Sequence, residues 1–79
     1  MQDVIDEKQL RRAISSNVVR LRQERGFSQS DLADKAGVSR IQLSRLENQH
    51  NTPGADMLYS LADALGVDAD TLRQVASLA

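Results

Sequence analysis

The sequence has no cysteine and no tryptophan, a single proline, a single histidine, and only two aromatic side chains, Phe27 and Tyr59. Without cysteine there is no disulfide and no thiolate to hold a metal. His50 has no neighbouring histidine or paired carboxylate, so no metal site and no catalytic dyad can be assembled around it. Ser28, Ser39 and Ser44 have no base to activate them as nucleophiles. The four glycines are too scattered to form a phosphate loop. Enzymatic activity, a cofactor, a metal and a small-molecule ligand are therefore not expected. No run approaches the roughly 20 apolar residues of a membrane span, and the N-terminus lacks a charged stretch leading into an apolar one. A soluble, cytoplasmic chain with no membrane partner is expected.

What remains is a chain of 79 residues, 41% hydrophobic, which is enough for one small aliphatic core. It reads as a single domain over residues 1–79. The net charge is −1, but it is unevenly spread. Residues 1–19 balance. Residues 20–50 set Arg20, Arg22, Arg25, Lys35, Arg40 and Arg45 against Glu24, Asp31, Asp34 and Glu47, a net of +2. Residues 51–79 set Arg73 against Asp56, Asp63, Asp68 and Asp70, a net of −3. A basic middle beside an acidic tail suits a partner that meets one face only.

Gly26, Gly37, Gly54 and Gly66 all fall where apolar periodicity stops or restarts, and between them the spacing is helical with no alternating stretch. Five helices are predicted, an all-α fold. The first runs from Glu7 to Arg25, capped by Asp6 with Gln9 three residues on, and carries the stripe Leu10, Ile14, Val18 and Leu21. The second follows Ser28 and buries Leu32, Ala33 and Ala36; the third follows Ser39 and buries Leu43 and Leu46. The fourth begins near Pro53 or Gly54 with Leu58, Leu61, Ala62 and Leu65 inward, and the fifth follows Asp68 and uses Leu72, Val75 and Leu78. Phe27 should plug the core between the first two helices, and Tyr59 should lie half exposed.

Residues 28–48 contain the sharpest signal. Two short helical patterns meet at Gly37-Val38-Ser39, the tight connection of a helix-turn-helix. The crossing needs a small residue, supplied by Ala33, and the turn needs a residue tolerant of positive φ, supplied by Gly37. Leu43 and Leu46 then anchor the third helix by one face. Its opposite face carries Ile41, Ser44, Arg45 and Asn48, with Arg40 in the first turn. An arginine can pair bidentately with guanine, an aliphatic side chain can meet a thymine methyl, and a small serine lets the helix sit deep in the major groove. At Ser28-Gln29 free backbone N–H groups and a positive dipole end can clamp a phosphate.

The stretches "LRQERGFSQSDLADKAGVSRIQLSRLEN" and "LADALGVDADTL", within residues 18–72, resemble the Cro/repressor (XRE-type) helix-turn-helix family of bacterial and phage regulators, which includes the restriction–modification controller proteins. The resemblance implies a compact repressor-like domain bound to double-stranded DNA. By it, Arg40, Ile41 and Arg45 occupy base-reading positions, with Gln42 and Ser44 as secondary candidates, and Gln29 contacts phosphate and helps orient the third helix. Asn48, His50 and Asn51 would touch phosphate, and Arg22 would pair with Glu47 to tie that helix to the scaffold. The sequence departs from the family at Gln49 and His50, where a Gly and a Lys or Arg commonly stand.

The expected function is a sequence-specific transcriptional regulator, a homodimer on a palindromic operator with autoregulation as a further expectation. Helices 4 and 5, over residues 53–79, would close the core and supply a dimer seam from Tyr59, Leu72, Val75 and Leu78. The competing expectation is an antitoxin or adaptor that turns the same helices to a protein partner.

Overall fold

A computed structural model describes residues 6–75. Those residues form α1 (Glu7–Glu24), α2 (Gln29–Ala36), α3 (Arg40–Glu47), α4 (Ala55–Leu65) and α5 (Ala69–Arg73), with no strand among them.

The first three helices begin with a capping box. Asp6, Ser28 and Ser39 each accept from the backbone N–H three residues on, and Gln9, Asp31 and Gln42 return the bond to the cap's own N–H. α4 starts at Gly54 and α5 at Asp68 without a side-chain cap. Four helices end in one hydrogen-bond pattern, the Schellman motif, in which a residue in the left-handed region turns the chain. Gly26, Gly37 and Gly66 occupy that position after α1, α2 and α4, at φ +71°, +72° and +75°. After α3 it is occupied by Gln49, at φ +64°. A Cβ at Gly37 would meet nothing within 4 Å, so backbone conformation rather than crowding makes glycine suitable there.

The core is aliphatic. Ile14, Val18 and Leu21 of α1 meet Leu32 and Ala33 of α2, Leu43 and Leu46 of α3, Leu58, Leu61 and Leu65 of α4, and Leu72 of α5. α4 lies against α2 and α5, while α1 backs α3 and α5. Phe27 is half-buried at the core's edge, and the Lys35 ammonium sits 5.1 Å from its ring centroid.

Three expectations change at the ends of elements. α1 stops at Glu24, with Arg25 as its cap. α5 stops at Arg73 because Asn17 of α1 reaches its last turn: Nδ2 donates to the carbonyls of Leu72 (2.8 Å), Gln74 (2.9 Å) and Thr71 (3.3 Å). Val75 therefore lies beyond the helix and is exposed. Leu72 cannot belong to a surface seam, since it is fully buried where α5 packs on α1 and α4. Tyr59 is 60% exposed, and Leu78 lies outside the described residues.

Candidate nucleic-acid interface

The third helix is locked from behind by one carboxylate. Arg22 Nε donates to Glu47 Oε2 at 2.7 Å and Nη2 donates to Oε1 at 3.1 Å, a bidentate pair. Gln29 Nε2 adds a third bond to Oε1 at 2.9 Å, and Arg22 Nη1 donates to the carbonyl of Phe27 at 2.9 Å. The side chains of Arg22 and Glu47 are 14% and 6% exposed. Ser15 Oγ, buried on α1, donates to the Glu47 carbonyl at 2.7 Å. These bonds join the end of α1, the start of α2 and the end of α3, with each polar group partnered. Leu43 and Leu46, both buried, complete the inward face of α3.

The outward face is different in kind. Arg40, Gln42 and Arg45 are exposed, Ser44 is half-buried, and Ile41 is 68% exposed. Leaving a β-branched apolar side chain in water on a helix of eight residues gains nothing for folding. Beside two arginines it forms a surface able to meet base edges and thymine methyls.

Several candidate side chains are already committed. Gln42 Oε1 accepts from Ser39 N (2.9 Å), so only its Nε2 is free to donate outward. Asn48 folds back, its Nδ2 donating to the Ser44 carbonyl at 2.9 Å. Gln29 commits one N–H of its Nε2 to Glu47 and keeps the second, the one donor its side chain can still offer a phosphate oxygen. Ser28 is engaged in the capping box with Asp31 (2.9 and 3.0 Å). What α2 also offers an anion is backbone: the N–H groups of Gln29 and Ser30 have no acceptor among the described residues, and they sit at the positive end of the helix dipole. The Asp31 carboxyl is held below its ordinary value by the Ser28 N–H and hydroxyl, with Lys35 adding to the effect against slight desolvation.

His50 is exposed and its N–H donates to the Arg45 carbonyl at 2.9 Å. Asn51, oriented so that each amide atom meets a partner of the opposite kind, accepts from Arg45 Nε at 3.1 Å and donates to the His50 carbonyl at 2.9 Å. Sequence reasoning did not find this contact. It also missed a second tie: Thr52 Oγ1 accepts from Arg11 Nε at 3.2 Å and donates to Glu7 Oε2 at 3.3 Å, pinning the loop after α3 to the first turns of α1. Nothing local in the sequence announces either contact, because both depend on where the loop runs.

No group of His, Cys, Asp or Glu residues among the described ones could hold a metal ion, and no helix there is long and apolar enough to cross a membrane.

Comparison with known proteins agrees with this geometry. The helix-turn-helix family HTH_3 matches residues 18–72. An uncharacterized HTH-type transcriptional regulator, y4dJ of Sinorhizobium fredii, is 41% identical over 58 residues, 73% of this chain and 75% of that protein. The crystal structure of a hypothetical transcription factor, NHTF from Neisseria, superposes with a TM-score of 0.82 at 29% identity, covering 95% of this chain and 86% of that one. SinR, a master regulator for biofilm formation solved in complex with DNA, superposes at 0.74 with 34% identity, over 77% of this chain and 98% of that one. The curated SinR of Bacillus subtilis is longer, and this chain spans 54% of its length.

Proposed function

The chain belongs to the helix-turn-helix family HTH_3 as a transcriptional regulator rather than an enzyme, and from that premise we propose that it reads an operator with α3 in the major groove. The observation that carries this reading is the contrast across α3: a buried bidentate clamp on one side, and on the other Ile41, 68% exposed, between Arg40 and Arg45. A helix held rigidly from behind loses little freedom on docking, so its contacts discriminate rather than merely adhere. In this reading Arg40, Ile41 and Arg45 meet bases, with the free amide nitrogen of Gln42 and the Ser44 hydroxyl as secondary contacts. The N–H groups of Gln29 and Ser30 hold a backbone phosphate and set the register. His50, exposed in the loop after α3, is a further phosphate contact in this reading.

One domain of this size supplies few base contacts and little positive charge. Two copies on a palindromic site, about one helical turn apart, double both. Tyr59 and Val75, the exposed large apolar side chains outside α3 among the described residues, are the residues offered for the seam between copies. Such a regulator works in the cytoplasm, and an operator upstream of its own gene would let its concentration regulate itself.

Random-site selection tests the reading. One duplex family should be enriched, with an inverted repeat. Ile41→Ala and Arg40→Ala should weaken that duplex by about 5- to 100-fold, the range for losing one base contact, while a scrambled duplex is bound as before. Binding should fall steeply with salt as counterions are released. Equal weakening on both duplexes would contradict base reading by this face.

A further inference from the structure

We infer that Asn51, in the loop after α3, is a positioning residue that aims the Arg45 guanidinium end-on, so that Arg45 selects guanine. The inference rests on the reading of α3 as the base-reading helix and adds to it a specific base and the residue that enforces it.

A guanidinium can offer two parallel N–H groups along either of two edges, Nη1 with Nη2 or Nε with one Nη. Asn51 Oδ1 accepts from Arg45 Nε at 3.1 Å, which closes the side edge and leaves the Nη1/Nη2 end as the edge with two uncommitted parallel donors. Two parallel donors at a fixed spacing match guanine O6 and N7, and no other base presents two acceptors there in the major groove. Asn51 is itself held in place. Its Nδ2 donates to the His50 carbonyl, whose own residue donates N–H to the Arg45 carbonyl, so loop and arginine close on each other from both directions. On its other side Thr52 is tied to Arg11 and Glu7 of α1. A long arginine in the last turn of an eight-residue helix would otherwise sweep many rotamers. With Nε occupied it approaches DNA already ordered.

The arrangement also assigns Asn51 differently from a phosphate contact, and the two roles separate by measurement. Selected pools from wild type, Asn51→Ala, Asn51→Asp and Arg45→Ala are sequenced, and affinities are measured at several salt concentrations, with melting temperatures to show that each variant is folded. Wild type should enrich guanine at one position per half-site. Asn51→Ala should cut that preference by about 5-fold, the cost of ordering one long side chain, with preferences elsewhere in the site unchanged. Asn51→Asp keeps the acceptor for Nε and should retain the guanine preference, although its charge lowers affinity overall. Arg45→Ala should erase the preference, and adding Asn51→Ala to it should change it no further.

A result that overturns the inference is a guanine preference intact in Asn51→Ala, with uniformly weaker binding and a salt slope shallower by about one ion, the signature of a lost phosphate contact. Loss of the preference in Asn51→Asp to the same degree as in Asn51→Ala overturns it as well. A wild-type pool with no enriched sequence fails the operator proposal itself; enrichment without guanine at the Arg45 position fails this inference alone.

Discussion

The turn into α3 and the turn out of it close the same two backbone bonds with opposite materials. Before α3, Gly37 N donates to Asp34 O (3.2 Å) and Val38 N to Ala33 O (3.0 Å). After it, Gln49 N donates to Leu46 O (3.0 Å) and His50 N to Arg45 O (2.9 Å). The first turn places glycine in the left-handed region and follows it with a valine packed against the core. The second places glutamine there and follows it with an exposed histidine. The first turn is made with a local glycine and an apolar residue that packs on the core, without any polar tie from a distant element. The second is sustained from outside, by the Arg22–Glu47 pair one residue before the cap and by the Thr52 tie to α1. The end of α3 thus depends on polar ties to distant residues, and the start of α3 does not.

Removing the outside support should have the largest effect. Arg22→Ala strands a nearly buried Glu47 carboxylate and should cost about 3–5 kcal/mol in urea unfolding. A loss under about 1 kcal/mol would show that the second turn stands alone. Exchanging the materials of the two turns comes next. Gly37→Ala forces a Cβ into the left-handed region and should destabilise by about 1–2 kcal/mol. Gln49→Gly should instead stabilise by about 0.5 kcal/mol, because relief of that backbone cost exceeds the added freedom of the unfolded chain. A destabilised Gln49→Gly would mean that the glutamine side chain supports the loop.

The smallest effect concerns acid. Asp31 lies in the helix that leads into the first turn, and its folded carboxyl titrates below the ordinary value of 3.8. A lowered folded pKa means that its contribution is complete above the unfolded value and is lost as pH falls through the folded one. Asp31→Asn should therefore lower the melting temperature slightly at neutral pH, where the contribution is present. Well below about pH 4, where the contribution is already lost, it should leave the melting temperature nearly unshifted, so that the acid limb flattens. An unchanged acid limb would remove Asp31 from the local account of that turn.

The same distinction between local and outside support explains what the sequence revealed. Capping boxes at Asp6, Ser28 and Ser39 are legible because cap and partner stand three residues apart. Gly37 with Leu43 and Leu46 fixes the inward face of α3, and the outward face follows by subtraction. Contacts made at a distance were not legible from spacing. Asn17 ends α5 from α1, which left Val75 outside the helix, and Leu72 turned out to serve the core of a helix too short to carry two apolar faces. Gln49 in the left-handed region has no local marker, because the residues that hold the turn lie elsewhere in the chain. The Asn51 contact to Arg45 depends on a loop path set by bonds spanning 41 and 45 residues.

The claim at the centre is that the outward face of α3 and the first free N–H groups of α2 meet DNA together. Amide and arginine side-chain shifts of the ¹⁵N-labelled protein, titrated with its selected duplex, test it most directly. The largest changes are predicted at the backbone N–H of Gln29 and Ser30, at Arg40 and Ile41, and at the Arg45 Nη groups. Changes confined to Tyr59 and Val75, with α3 silent, would contradict it.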